Sequence, residues 1–182
     1  MRITGGTLAR RPIDAPKGDR TRPTTDRVRE ALFSALGSRM RLDGARVLDL
    51  FAGSGALGLE AVSRGAAGAT LVERHGPTLA VARRNARDLG VADRVATVRA
   101  DALAYADRDA GPYDLVLADP PYDLPEIPAL PALVRPLLAS GGLFVLEHDA
   151  RHDFADADGL VFSRAYGRTV VSVFGDTASD LP

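Results

Sequence analysis

From residue 46 the chain alternates between short apolar runs and stretches with helical spacing. Arg46-Val47-Leu48-Asp49-Leu50 is apolar but for one acid and leads into glycines, the pattern of a strand buried on both faces. Ala56-Leu57-Gly58-Leu59-Glu60-Ala61-Val62 then reads as the first turns of a helix, with Ser54 as its expected cap. The same pairing recurs, with strands at 46–50, 69–73, 94–98, 113–118 and 143–147 and helices at 55–63, 77–89 and 126–138. Ahead of them, Val28, Ala31, Leu32 and Ala35 form the apolar stripe of a helix over 26–36, capped by Thr24, Thr25 or Asp26. At the far end, 160–167 and 169–174 read as strands joined by Tyr166-Gly167-Arg168, short enough for an antiparallel hairpin. This alternation predicts an α/β domain, a mostly parallel seven-stranded sheet with helices on both faces and a C-terminal antiparallel hairpin.

Residues 1–24 are irregular, and Arg2-Ile3-Thr4 with Pro12-Ile13 suits the arms of a short hairpin. The expected organisation is therefore a small N-terminal arm over 1–24, one domain over 25–176, and a tail over 177–182. The chain has no cysteine, which removes disulfides and thiolate chemistry. Its three histidines, His75, His148 and His152, lack ligand spacing, so no metal site is expected; His148 and His152 read as surface residues near a helix start. No apolar run approaches the roughly 20 residues of a membrane span, and the N-terminus has no apolar secretory core. The expectation is a cytoplasmic enzyme without a membrane partner.

Charge changes the picture further. The net charge is −1, but residues 1–46 hold eleven basic and five acidic side chains, whereas the remainder holds twelve basic and nineteen acidic ones. A basic arm on an acidic body favours a polyanionic partner, with Arg10, Arg11, Arg20, Arg22, Thr24 and Arg27 as candidate nucleic-acid contacts. Arg27 and Arg29 lie off the helical stripe and suit a solvated face as well as phosphate contact.

Gly53-x-Gly55-x-x-Gly58 matches a dinucleotide fingerprint, which by itself is a weak signal. The acid inside the strand, four residues before Gly53, is foreign to that fingerprint. Asp49-x-Phe51-Ala52-Gly53-Ser54-Gly55 instead resembles the first motif of class I S-adenosylmethionine methyltransferases, where the turn holds the methionine part of the cofactor. Glu73 ends the second strand, twenty residues after Gly53, where an acid can accept hydrogen bonds from both ribose hydroxyls; Arg74 follows it. Asp101-Ala102 follows the third strand, where that family holds the adenine amino group; Asp101 also suits a helix cap, and the two roles are compatible.

Asp119-Pro120-Pro121-Tyr122 carries the sharpest signal. It follows an apolar strand and resembles the Asp-Pro-Pro-Tyr motif of enzymes that methylate exocyclic base amines or glutamine amides. Such an NH2 is a poor nucleophile because its lone pair is delocalised. The Asp119 carboxylate and the Pro120 carbonyl can accept its two hydrogens and aim the lone pair at the methyl donor. Tyr122 offers a face on which an unstacked base can lie.

Taken together, Arg2-Ile3-Thr4-Gly5-Gly6, Thr21-Arg22-Pro23-Thr24-Thr25-Asp26-Arg27-Val28-Arg29-Glu30-Ala31-Leu32-Phe33, the Asp49–Ala61 block and Asp119–Tyr122 resemble the RsmD-type 16S rRNA (guanine(966)-N2)-methyltransferases. The resemblance fades after about residue 150, save at Tyr166-Gly167-Arg168. It implies a Rossmann-like class I fold, S-adenosylmethionine as cofactor, and methylation of a guanine N2 in 16S rRNA of the small ribosomal subunit or its assembly intermediate. The exposed basic arm is compatible with a monomer, which is the expected state. Other readings are an adenine-N6 DNA methyltransferase, a protein glutamine methyltransferase, whose motif usually begins with Asn, and a catalytically silent cofactor-binding assembly factor. A nicotinamide-dependent dehydrogenase lacks a hydride-transfer acid or base.

Overall fold

The computed structural model describes residues 1–16, 25–109 and 111–175. After helix α1 (Asp26–Gly37), strands and helices alternate as β1 (Arg46–Leu50), α2 (Ala56–Ser63), β2 (Gly68–Val72), α3 (Gly76–Asp88), β3 (Val95–Val98), α4 (Ala102–Arg108) and β4 (Tyr113–Ala118). Then come α5 (Leu130–Val134), β5 (Leu138–Asp149), β6 (Leu160–Tyr166) and β7 (Thr169–Gly175). The seven strands form one sheet in the order β3-β2-β1-β4-β5-β7-β6. β1 to β5 run parallel, and β7 pairs antiparallel with both β5 and β6. From β1 the chain first builds outward through β2 and β3, then returns to place β4 on the other side. The switch point therefore lies between β1 and β4, where open α/β sheets bind ligands at the strands' carboxyl ends.

The sheet is covered on both faces. Val47, Leu71, Leu117, Val145 and Val173 pack with α1, α2, α3 and the N-terminal residues Ile3 and Ile13. Leu48, Leu50, Val116, Phe144 and Leu146 pack with α4, α5 and Phe154. Residues 1–16 thus share the main core rather than lying outside it. Their hairpin-like pairing is an isolated bridge between Arg2 and Pro12, flanked by backbone bonds between Ile3 and Arg11 and between Arg10 and Ile3. Among the described residues no helix is long and apolar enough to cross a membrane.

Several expectations are corrected. Ser54 does not cap α2: Gly55 holds the cap position at φ 79° with no side-chain hydrogen bond, and Ser54 is buried, its carbonyl accepting from Asn85 Nδ2. The helix expected over 126–138 is broken into a 3-10 turn, α5 and a second 3-10 turn, with Pro128, Pro131 and Pro136 near their starts. α4 is an extra helix, capped by Asp101. His148 is not at the surface near a helix start: it is buried in β5, with its Nε2 2.8 Å from Ser172 Oγ. Arg29 is neither solvated nor free for phosphate. It is fully buried and ion-paired with the equally buried Glu60 at 3.3 Å.

Candidate active site

The loop after β1 is held in a shape that few residue types can adopt. Phe51, Gly53 and Gly55 have φ of 60°, 55° and 79°, the left-handed region where glycine is unstrained. Gly58 is required for space: a Cβ there would sit 2.3 Å from Leu71 Cδ2 and 3.2 Å from Asp49 Oδ2. The Gly58 N–H instead donates to Asp49 Oδ2 at 2.8 Å, which ties the buried acid of β1 to the first turn of α2. Burial pushes the Asp49 carboxyl up to about 8; the Gly58 N–H pulls it down, and Asp119 and Glu73 push it up again.

Glu73 flanks the loop. Its carboxylate accepts the N–H groups of Gly53 at 3.2 Å and His75 at 2.7 Å, so it braces the glycine turn from β2. Arg74 is exposed beside it. Asp101 is exposed, and its Oδ1 accepts from Leu103 and Ala104, both at 3.1 Å, as the cap of α4; Ala102 is buried behind it. Phe51 is half-buried and Ala52 buried, with the Ala52 N–H donating to the Val72 carbonyl.

Asp119 follows the last residue of β4, in register beside β1 and β5: Ala118 pairs with Leu50 and with Leu146. Asp49, Asp119 and Glu147 are each two residues beyond Val47, Leu117 and Val145, which face one core cluster, so strand alternation sends all three acids to that side of the sheet. Glu147 is buried; in the sequence it closes an apolar run as Asp119 does, but no motif marks it.

Pro120 is buried, which fixes its carbonyl, and Tyr122 is half-buried. The Tyr122 hydroxyl lies 3.2 Å from Thr169 Oγ1, and its backbone carbonyl accepts Arg151 Nη2 at 2.9 Å. Burial pushes the Tyr122 phenol up to about 12; the Thr169 contact pulls it down, and Asp119, Glu147 and Asp149 push it further up. The ring is therefore neutral at working pH and suited to stacking, not to proton abstraction. Among the described residues no group of three or more His, Asp or Glu is placed to hold a metal ion.

The arm residues divide. Arg11 donates to the carbonyls of Asp88 and of Leu89, the latter at 2.9 Å, and so closes the C-terminal end of α3. Arg10, at φ 71°, and Arg27 are exposed. Arg20, Arg22 and Thr24 lie outside the described residues.

The comparisons agree with this geometry. The family model described as "Conserved hypothetical protein 95" matches residues 1–175. "Putative rRNA methyltransferase YlbH" of Bacillus subtilis is 36% identical over 183 residues, covering 96% of this chain and 98% of its own. "Ribosomal RNA small subunit methyltransferase D" of Escherichia coli is 42% identical over 124 residues, 67% of this chain but only 60% of that relative's length. Among solved structures, "Putative methyltransferase yhhF from Escherichia coli" superposes with a TM-score of 0.82 at 33% identity, covering 96% of each chain. An RNA methyltransferase from Salinibacter ruber, at 18% identity and a TM-score of 0.68, shares the fold. On its sheet order, its glycine loop and these matches, the chain belongs to the conserved hypothetical protein 95 family, the RsmD family of class I S-adenosylmethionine-dependent methyltransferases.

Proposed function

We propose that this chain transfers a methyl group from S-adenosylmethionine to the exocyclic N2 of a guanine in 16S rRNA of the small ribosomal subunit, at the position the family name gives as 966. The observation that carries the reading is Asp119-Pro120-Pro121-Tyr122 at the end of β4, beside the glycine loop of β1. The names of the relatives support rRNA as the acceptor class.

The residues fit the cofactor. Among the left-handed positions of the loop, Gly53 leaves its backbone open to a ligand, a Cβ there meeting nothing closer than 3.9 Å, and the Glu73 carboxylate beside it suits ribose hydroxyls. In this reading Asp101-Ala102, after β3, takes the adenine amine, and buried Asp49, bonded to the Gly58 N–H, favours an ammonium. When bound, the cofactor supplies an electrophilic methyl on sulfonium sulfur. Asp119 and the Pro120 carbonyl accept the two N–H groups of the base and hold its lone pair toward that methyl. Tyr122 supports the base from its face. The amine nitrogen, so held, would take the methyl from the sulfonium donor, and its proton, acidified by the transfer, would pass to Asp119 or to water without a strong base.

Asp49 provides a proton-linked test of cofactor binding. Its folded-state value lies above the ordinary 3.8, so the fold retains this proton up to about 8 and its stability contribution declines as pH rises through that window. A cationic amino group above it favours the carboxylate, so binding near neutral pH is expected to release up to about one proton. Calorimetry in buffers of different ionisation enthalpy measures this release. Asp49→Asn, which keeps an acceptor for the Gly58 N–H, is expected to remove it. Equal release by wild type and variant would exclude Asp49 as its source.

The function itself is tested by methyl transfer from labelled cofactor to small-subunit particles lacking the modification, to naked 16S rRNA and to duplex DNA, followed by nucleoside analysis. N2-methylguanosine on the particle is the expected product. Label in DNA adenine would overturn the reading.

A further inference from the structure

The basic nucleic-acid contacts expected from the sequence all fall within the first 29 residues. The structure brings a second basic element to the catalytic motif. Thr169, whose hydroxyl meets Tyr122, pairs with Asp149 at the end of β5 and with Tyr166 across the β6–β7 hairpin. The turn between those strands, with Gly167 at φ 66°, therefore projects beside the Tyr122 ring. Arg168 in the turn and Arg164 in β6 are both exposed, and neither has a carboxylate partner among the described residues. Arg164 lies two residues from both Phe162 and Tyr166 and so shares their face, which packs on the cluster containing Leu117 and Val145; it pairs with Val171, the partner of Glu147, on the side toward which Asp119 and Glu147 project. Arg151 differs: it is committed to Asp149 Oδ2 at 2.7 Å and to the Tyr122 carbonyl.

The electrostatics demand such an element. Glu73, Asp119 and Glu147 lie at or just beyond the strand ends, so a phosphate backbone approaching the site meets carboxylates unless cations on the rim hold it. Guanidinium groups suit phosphate because their planar fork binds it bidentately. We propose that the β6–β7 hairpin is a phosphate clamp, in which Arg164 and Arg168 grip the RNA backbone flanking the base that stacks on Tyr122. The proposal rests on the rRNA reading above and deepens it.

The test compares the full-length wild type with an Arg164→Gln/Arg168→Gln variant. A control, Arg83→Gln/Arg87→Gln, makes the same charge change on the exposed face of α3. Binding to small-subunit particles lacking the modification is measured against salt, together with kcat and KM; cofactor affinity and melting temperature report folding. The hairpin variant is expected to lower the slope of log K against log salt by about 1 per arginine removed, and to raise KM more than it lowers kcat. Cofactor affinity stays at the wild-type level. An unchanged slope and KM in the hairpin variant overturns the clamp. An equal loss in the α3 control also overturns it, since net charge alone would then explain binding. If the wild type itself neither binds nor methylates the particle, the rRNA reading fails and the clamp fails with it.

Discussion

Replacing Asp119 with alanine is expected to lower kcat for methyl transfer by about a hundredfold to a thousandfold, the loss typical of removing one preorganised polar partner at a reacting centre. Cofactor affinity is expected to stay near the wild-type value, because other acids brace the glycine loop: Gly53 bonds Glu73, and Gly58 bonds Asp49. The size of the effect follows from the nucleophile. An aromatic amine gives up conjugation as its lone pair turns toward the methyl, and that rotation is favoured only while both N–H groups find acceptors. Buried Pro120 keeps its carbonyl in place in the variant, so one acceptor survives. Asp119→Asn, which restores a neutral acceptor, is expected to recover part of the loss. Single-turnover transfer to small-subunit particles separates this from product release. Near-normal turnover by the alanine variant would sink the assignment of the motif.

The same motif shows how far local sequence reaches. The glycine loop, Glu73 and Asp119–Tyr122 were legible because their chemistry is set by neighbours in the chain: a left-handed turn needs glycine, and an acid after an apolar strand lands at the sheet's carboxyl edge. The strands were legible for the same reason, since parallel strands buried on both faces are continuously apolar. α4 was missed because seven residues with a single cap barely display a period. The helix after the Asp-Pro-Pro-Tyr loop was drawn too long because spacing registers apolar positions but not proline's missing N–H. Thr169, Arg151 and His148 escaped because their partners lie 47, 29 and 24 residues away, distances that periodicity cannot sense. Arg29 misled outright. Its place beside the apolar stripe looked solvated because its partner, Glu60, sits 31 residues further on in another helix.

That pair carries the largest expected effect on stability. Glu60 is fully buried in α2 and gathers five donors. The Thr4 N–H and Arg29 Nε reach one carboxylate oxygen, and the Thr4 hydroxyl, Gly5 N–H and Arg64 Nε reach the other. Arg29 in turn donates to Asp26 and to the Arg2 carbonyl. One carboxylate thus fastens the N-terminal segment and α1 to the helix that opens with the glycine loop. Glu60→Ala takes from the buried Arg29 guanidinium its one fully buried carboxylate while Asp26 and the Arg2 carbonyl remain. The cost is therefore expected toward the lower end of the roughly 3–5 kcal/mol typical of removing one partner of a buried pair, about 3 kcal/mol. At about 2–4 °C per kcal/mol for a domain of this size, the midpoint of thermal unfolding is expected to fall by roughly 10 °C. The loss is shared between the guanidinium deprived of its buried partner and the Thr4, Gly5 and Arg64 donors left without an acceptor. A Glu60→Leu/Arg29→Met double variant is expected to regain part of it, the share carried by the guanidinium, because apolar groups of similar volume need no solvation while the Thr4 and Gly5 donors stay without an acceptor. Hydrogen exchange separates the two variants further. Both free the Thr4 and Gly5 amides to exchange, since both lack their acceptor, but only the single variant also loosens α1. A single-variant loss below about 1 kcal/mol would mean that water reaches Arg29 once Glu60 is gone, and that the segment is held mainly by Ile3 and Ile13 in the core.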